Sequence, residues 1–130
     1  MNQTLLQEKY PIYILELEKQ ETSRCNVGEI IAYYREKIEA HPVAALIGVF
    51  DHYAHTPALN ESAVDDEIRD ARNIIFCIGK EILNPEALAI RPRSIAVAEL
   101  DHRFIISFLE APNPLANDAM ESWTLGLKDR

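Results

Sequence analysis

Glycine is scarce, with 4 residues in 130. No glycine-rich loop is available to cradle a phosphate, and no serine stands in a Gly-x-Ser-x-Gly context. Cysteine is limited to Cys25 and Cys77, far apart and outside any Cys-x-x-Cys pair. No apolar run approaches the roughly 18 residues that suggest a membrane span. The opening Met-Asn-Gln-Thr-Leu-Leu-Gln-Glu-Lys-Tyr has no basic segment followed by an apolar one, so no secretory signal is expected. Two free thiols and a cytoplasmic location follow as expectations. Positive charge is also in short supply. Lys+Arg total 13 against 21 Asp+Glu, a formal net charge of -8. Such a field repels the phosphate backbone and anionic membranes, so neither nucleic acid nor membrane is an expected partner.

What remains is ordinary for a globular domain: 48% hydrophobic, 26% charged, and long enough for one core, so residues 1–130 read as a single domain. Tyr10 to Glu18 alternates as a strand, with Tyr13, Leu15 and Leu17 on one face and Glu16 and Glu18 on the other. Asn26 is placed to cap a helix with Glu29 three residues on. Val27, Ile30, Ile31, Tyr34 and Ile38 form its apolar face, and Pro42 ends it by His41. Val43 to Thr56 opens as an unbroken apolar run, the signature of a strand buried on both faces. From Thr56 to Asp70 the pattern is irregular. Pro57, Asn60 and Ser62 suggest a loop, and Val64 to Arg69 a short acidic helix. Asn73 to Gly79 is a further strand, and Lys80 to Arg93 a second irregular connection. Ile95 to Leu100 and Phe104 to Glu110 make a hairpin around Asp101-His102-Arg103. Asn113 and Pro114 start a last helix with Ala116, Met120, Trp123 and Leu127 as its stripe.

The order is strand, helix, four strands, helix. It predicts an α+β fold, a mainly antiparallel five-stranded sheet with both helices on one face. Alternate residues in several strands are apolar on both sides, as with Ile75 and Cys77 or Ile105 and Leu109. Two helices cover one face only. The other is expected to meet a second subunit, be roofed by the irregular connections, or hold an apolar ligand, and a homodimer is the favoured solution.

With these elements placed, residues 26 to 113 resemble a bacterial domain-of-unknown-function family with a TATA-binding-protein-like fold. The matching landmarks are the amphipathic first helix, a strand ending in Asp51-His52, and an apolar strand with Phe76 and Gly79. A Pro-led strand from Pro92 to Leu100 and one from Phe104 to Pro112 complete them. Family members tend to carry Phe-Gly-Asn-Pro as one unit; here Cys77-Ile78 separates Phe76 from Gly79, and Asn84-Pro85 follows later. The resemblance implies the same element order and no activity. The fold's namesake binds DNA, but fold does not carry function.

The densest group of reactive side chains is Asp51, His52, Tyr53 and His55. Asp51, His52 and His55 suit a divalent metal such as zinc, three ligands plus water making a catalytic site. If the strand continues to His55, Asp51, Tyr53 and His55 share a face and His52 points away. If the chain bends at Asp51, His52 and His55 converge. The competing reading has these groups hydrogen-bonded at a strand end. Arg91 and Arg93 flank a proline as two prongs for a carboxylate or phosphate, or pair with the surplus acids. Cys77 as a nucleophile competes with Cys77 as an inert strand residue. Asp101-His102-Arg103 reads as a hairpin tip. The preferred function is a non-enzymatic homodimeric module that binds a small ligand or a protein through its sheet face. The alternative is a metal-binding protein or metal-dependent enzyme using Asp51, His52 and His55.

Overall fold

The computed structural model describes residues 1–59 and 63–130. Asn60 and Ser62, read above as loop residues, lie outside the described residues. The strands are β1 (Asn2–Leu6), β2 (Tyr10–Glu18), β3 (Ala44–Asp51), β4 (Asp70–Ile78), β5 (Arg93–Glu99) and β6 (Arg103–Leu109). They form one antiparallel sheet in the order β1-β2-β6-β5-β4-β3. The helices are α1 (Val27–Ala40), α2 (His52–His55) and α3 (Pro114–Leu125), with 3-10 turns at Lys19–Glu21, Thr56–Ala58 and Pro85–Ile90.

The expected α+β class and antiparallel sheet are present, but the sheet has six strands rather than five, and there are more helical segments than two. The extra strand, β1, has every residue exposed and so lacks the alternation that marks a half-buried strand. It pairs with β2 through a turn in which Gln7 and Glu8 take φ of 52° and 60°. Hairpin turns of that conformation usually announce themselves with Asn-Gly or Asp-Gly.

Where capping chemistry is explicit, sequence and structure agree. Asn26 Oδ1 accepts from the Glu29 amide at 2.8 Å and starts α1. His41, ahead of Pro42, is already extended. Asn113 Oδ1 accepts from the Leu115 amide at 3.0 Å, with Pro114 in the first turn of α3. The β5–β6 hairpin turns where expected, the Leu100 amide donating to the Arg103 carbonyl at 2.8 Å.

Both long helices pack on one sheet face. Leu15 and Leu17, Ile74, Phe76 and Ile78, Ile95 and Val97, and Phe104, Ile106 and Phe108 point beneath them and are buried. The Tyr33 hydroxyl donates to the Trp123 carbonyl at 2.5 Å, and the Tyr34 hydroxyl meets Thr124 Oγ1 at 2.7 Å, so α1 and α3 are joined by buried polar bonds. Gly126 permits this approach, because a Cβ there would stand 2.6 Å from the Tyr33 hydroxyl. Burial pushes the Tyr34 phenol well above its ordinary pKa, and it stays neutral.

Two expectations need correcting. The apolar run at Val43 is not buried on both faces. It forms β3, an edge strand with no fully buried residue, and its pairing with β4 slips between Leu46 and Gly48. Ile47, in that bulge, is 59% exposed. The strand stops at Asp51, where the chain bends into α2. Val64 to Arg69 is a turn rather than a helix, closed by the Ile68 amide on the Asp65 carbonyl at 3.1 Å. Asp65 Oδ1 also accepts from the Glu67 amide, the local bonding by which aspartate competes with helix formation. No helix among the described residues is long and apolar enough to cross a membrane.

Candidate functional site

The second face of the sheet is built by the residues that alternate with the core. β2 supplies Ile12 and Ile14, β6 Ile105, Ser107 and Leu109, β5 Ser94, Ala96 and Ala98, and β4 Asn73, Ile75 and Cys77. Apart from Glu16, Glu18 and Arg103 at one end of β2 and β6, these strands present uncharged side chains there. Small residues on the central β5 leave a shallow floor between the isoleucines. At the β3–β4 side, Phe50, His52, Asn73, Ile75 and Ser94 surround a hollow of about 300 Å³.

The bend at Asp51 positions the histidines. Asp51 caps α2, its Oδ1 accepting from the Ala54 amide at 2.9 Å. One helical turn then brings the His52 and His55 rings edge-on to Phe50, with centroids 4.7 and 5.1 Å away. His52 Nε2 lies 3.0 Å from Asn73 Oδ1. A carboxamide oxygen only accepts, so this bond places a proton on Nε2. Asn73 Nδ2 in turn donates to Ser94 Oγ at 3.4 Å. A polar track therefore runs from α2 across β4 to β5 on a mostly apolar face.

Asp51 does not join it. Its carboxylate is taken by the Ala54 amide and faces Arg72 at 3.6 Å, while Arg72 also approaches Asp70 at 3.4 Å. His52, His55 and Phe50 are brought together; Asp51 is held by its capping bond, and Tyr53 is exposed. Among the described residues no three His, Cys, Asp or Glu side chains gather as a metal-binding group. Nor does the track make an activated nucleophile. Asn73 stands between His52 and Ser94, so the imidazole does not reach the hydroxyl.

Arg91 and Arg93 do not act as parallel prongs. Their Arg91–Pro92 link is a cis peptide. Arg91 Nη2 donates to the Glu81 carbonyl at 2.7 Å and lies against Gly79. Arg93 turns to the helix side and is 7% exposed, donating to the Ile90 and Leu109 carbonyls. Burial holds its guanidinium below the usual arginine pKa. Cys25 is exposed and Cys77 half-buried on the second face, and both thiols are free. Asp101 sits at the hairpin tip, where Arg69 at 2.9 Å holds its carboxyl below the ordinary value. Met120 and Trp123 are core residues.

Sequence reading missed Asn73 and Ser94. Each is the one polar residue on the outward side of an apolar strand, which was the available signal. Their partnership depends on strand register, because Asn73 pairs with Phe50 and Ala96, beside rather than opposite the groups it bonds.

Comparison with curated proteins and with solved structures gave no match. The family comparison did, over residues 1–129, and the chain therefore belongs to DUF6858, a family of unknown function.

Proposed function

We propose that the protein is a non-enzymatic binding module that works as a homodimer joined through the second sheet face. The observation behind this reading is the charge distribution. A chain with net charge -8 keeps charge off the middle of one broad apolar surface. Depletion of charge marks the centre of protein interfaces. The dimensions agree with this reading. Five neighbouring strands at about 4.8 Å spacing, each of about seven residues at 3.4 Å rise, span about 24 by 24 Å. That projects to roughly 600 Å² before corrugation, near the ~800 Å² per partner of a standard interface. Ser94, Ala96 and Ala98 along β5 would receive Ile75 and Ile105 of a second copy in a face-to-face sandwich. Free thiols, Cys25 among them exposed, fit a reducing compartment such as the cytoplasm. The resemblance to a family with a TATA-binding-protein-like fold, read from the sequence, would add no DNA-binding role, given the net charge of -8.

Sedimentation equilibrium on the wild type and on Ala96→Glu tests the dimer. The wild type should sediment as a dimer. The variant should sediment as a folded monomer, since a carboxylate would be buried against its own symmetry mate. A wild type that stays monomeric at the highest soluble concentration overturns the reading.

A second reading rests on the two histidines one turn apart on α2, which suit a zinc ion with Asp51 redirected from its cap. Native mass spectrometry with added zinc would then show one ion per chain, lost in the His52→Ala/His55→Ala double variant. Equal uptake by both proteins would remove it.

A further inference from the structure

Arg93 is a buried cation without an anion. At 7% exposure its charge meets only the Ile90 and Leu109 carbonyls, and its Nε has no hydrogen-bond partner. Among the described residues neither Arg93 nor Arg91 pairs with a carboxylate. An uncompensated cation in this position disfavours burial, and a chain with eight surplus acids has had every opportunity to supply a partner.

The two arginines line a narrow hollow of about 20 Å³ with Ile78, Ala111 and Ala116. The hollow shares Ile90, Arg91, Pro112 and Asn113 as lining with a neighbouring open cleft of about 570 Å³, within the range of small-molecule sites. The cleft lies between the end of β4, the Pro85–Ile90 turn and the start of α3. Its polar lining is rich in donors. Lys80 and Arg91 face a single carboxylate, Glu81. The Asn84 and Asn113 side-chain oxygens are already used, accepting from the Ala87 and Leu115 amides at 2.9 and 3.0 Å, which leaves their NH₂ groups. The rest of the lining includes Leu83, Ile90 and Leu115, exposed at 82%, 39% and 41%.

We propose that this cleft binds an organic carboxylate with an apolar chain. The head group meets Arg91 and Lys80, with the buried Arg93 charge behind them, and the chain lies along Leu83, Ile90 and Leu115. A carboxylate is favoured over a phosphate because the inner hollow has room for about one water-sized group, enough for one carboxylate oxygen. The planar head also matches the guanidinium fork. Apart from Arg93, which also borders the hollow beside Phe50 and His52, the lining residues lie off the second sheet face, so this site stands apart from the middle of the proposed dimer.

The test is amide NMR of the full chain titrated with octanoate, with acetate and octylamine as controls for head and tail. Octanoate should shift the Gly79, Asn84 and Leu115 amides saturably, and neither control should. Arg91→Gln should weaken binding about tenfold, the loss of one charge-assisted contact. Leu83→Glu, at a position too exposed to endanger the fold, should weaken it at least as much, and it carries the test if Arg91→Gln fails to fold. No saturable shift, equal binding of octylamine, shifts confined to Ile75 and Ala96, or wild-type affinity in the folded variants would each overturn the proposal.

Discussion

β4 shows both sides of this protein in consecutive residues. Ile74, Phe76 and Ile78 point beneath α1 and α3 and are buried, while Asn73, Ile75 and Cys77 point to the other side and remain half-accessible. Composition hardly separates the two faces, since both are mostly apolar. What separates them is what lies on top. One carries two helices tied by tyrosine hydroxyls; among the described residues the other carries α2 and the turn segment at 63–68, at one corner. The same strand therefore serves stability on one side and leaves the other half-accessible.

Identical chemistry on the two faces gives the largest contrast. Ile74→Ala should cost about 2–5 kcal/mol, because a closed core does not collapse around the lost methylenes. Ile75→Ala should cost under about 1 kcal/mol in dilute solution, where its neighbours on one side are water. Its cost should grow with protein concentration if pairing stabilises the fold. Urea denaturation at two concentrations separates these cases. Equal, concentration-independent losses would mean that the faces are not energetically distinct.

A polar pair sharpens the comparison at lower energy. Tyr34→Phe leaves Thr124 Oγ1 without its buried partner and should cost about 1–3 kcal/mol. Asn73→Ala breaks bonds to His52 and Ser94, but water reaches that side, so the loss should stay within about 0.5 kcal/mol. Thermal melts of both variants decide it.

The smallest effect is expected at the rim of the covered side. The Asp129 carboxyl is held below its ordinary value by hydrogen bonds from Ser23, and that of Glu21 by Lys128. Carboxyls depressed in the folded state contribute above their ordinary values and lose that contribution as pH falls through the lower folded ones. Acidification below the ordinary carboxylate range should therefore speed exchange of the Ser23 and Arg130 amides while the β5 and β6 amides stay protected. Uniform exchange across the chain would show that these contacts are not a separate unit.

Features set by local chemistry were legible in the sequence: the Asn26 and Asn113 caps, the stop at Pro42, the hairpin turn at Asp101 and the alternation in β2. Features set by partners were not. An apolar run such as Ala44 to Phe50 does not say how many neighbours it will have, and β3 has one. β1 was hidden because Gln7 and Glu8 adopt a turn that their side chains do not advertise. At the candidate site, the convergence of His52 and His55 followed from a bend at Asp51, one of two conformations the sequence allowed. The link from His52 through Asn73 to Ser94 joins α2 to two strands and was beyond any local pattern.

The bulge at Ile47 would also limit any assembly of copies of this chain through sheet edges. A sheet with two regular edges adds further chains end to end without limit, which is how filaments grow. In β3 the slipped register breaks the ladder halfway along, so a further strand finds no continuous row of donors and acceptors there. Only β1 offers a regular edge. Edge pairing through β1 ends at two copies, and face pairing about a two-fold axis also ends at two. Either route would give a finite particle.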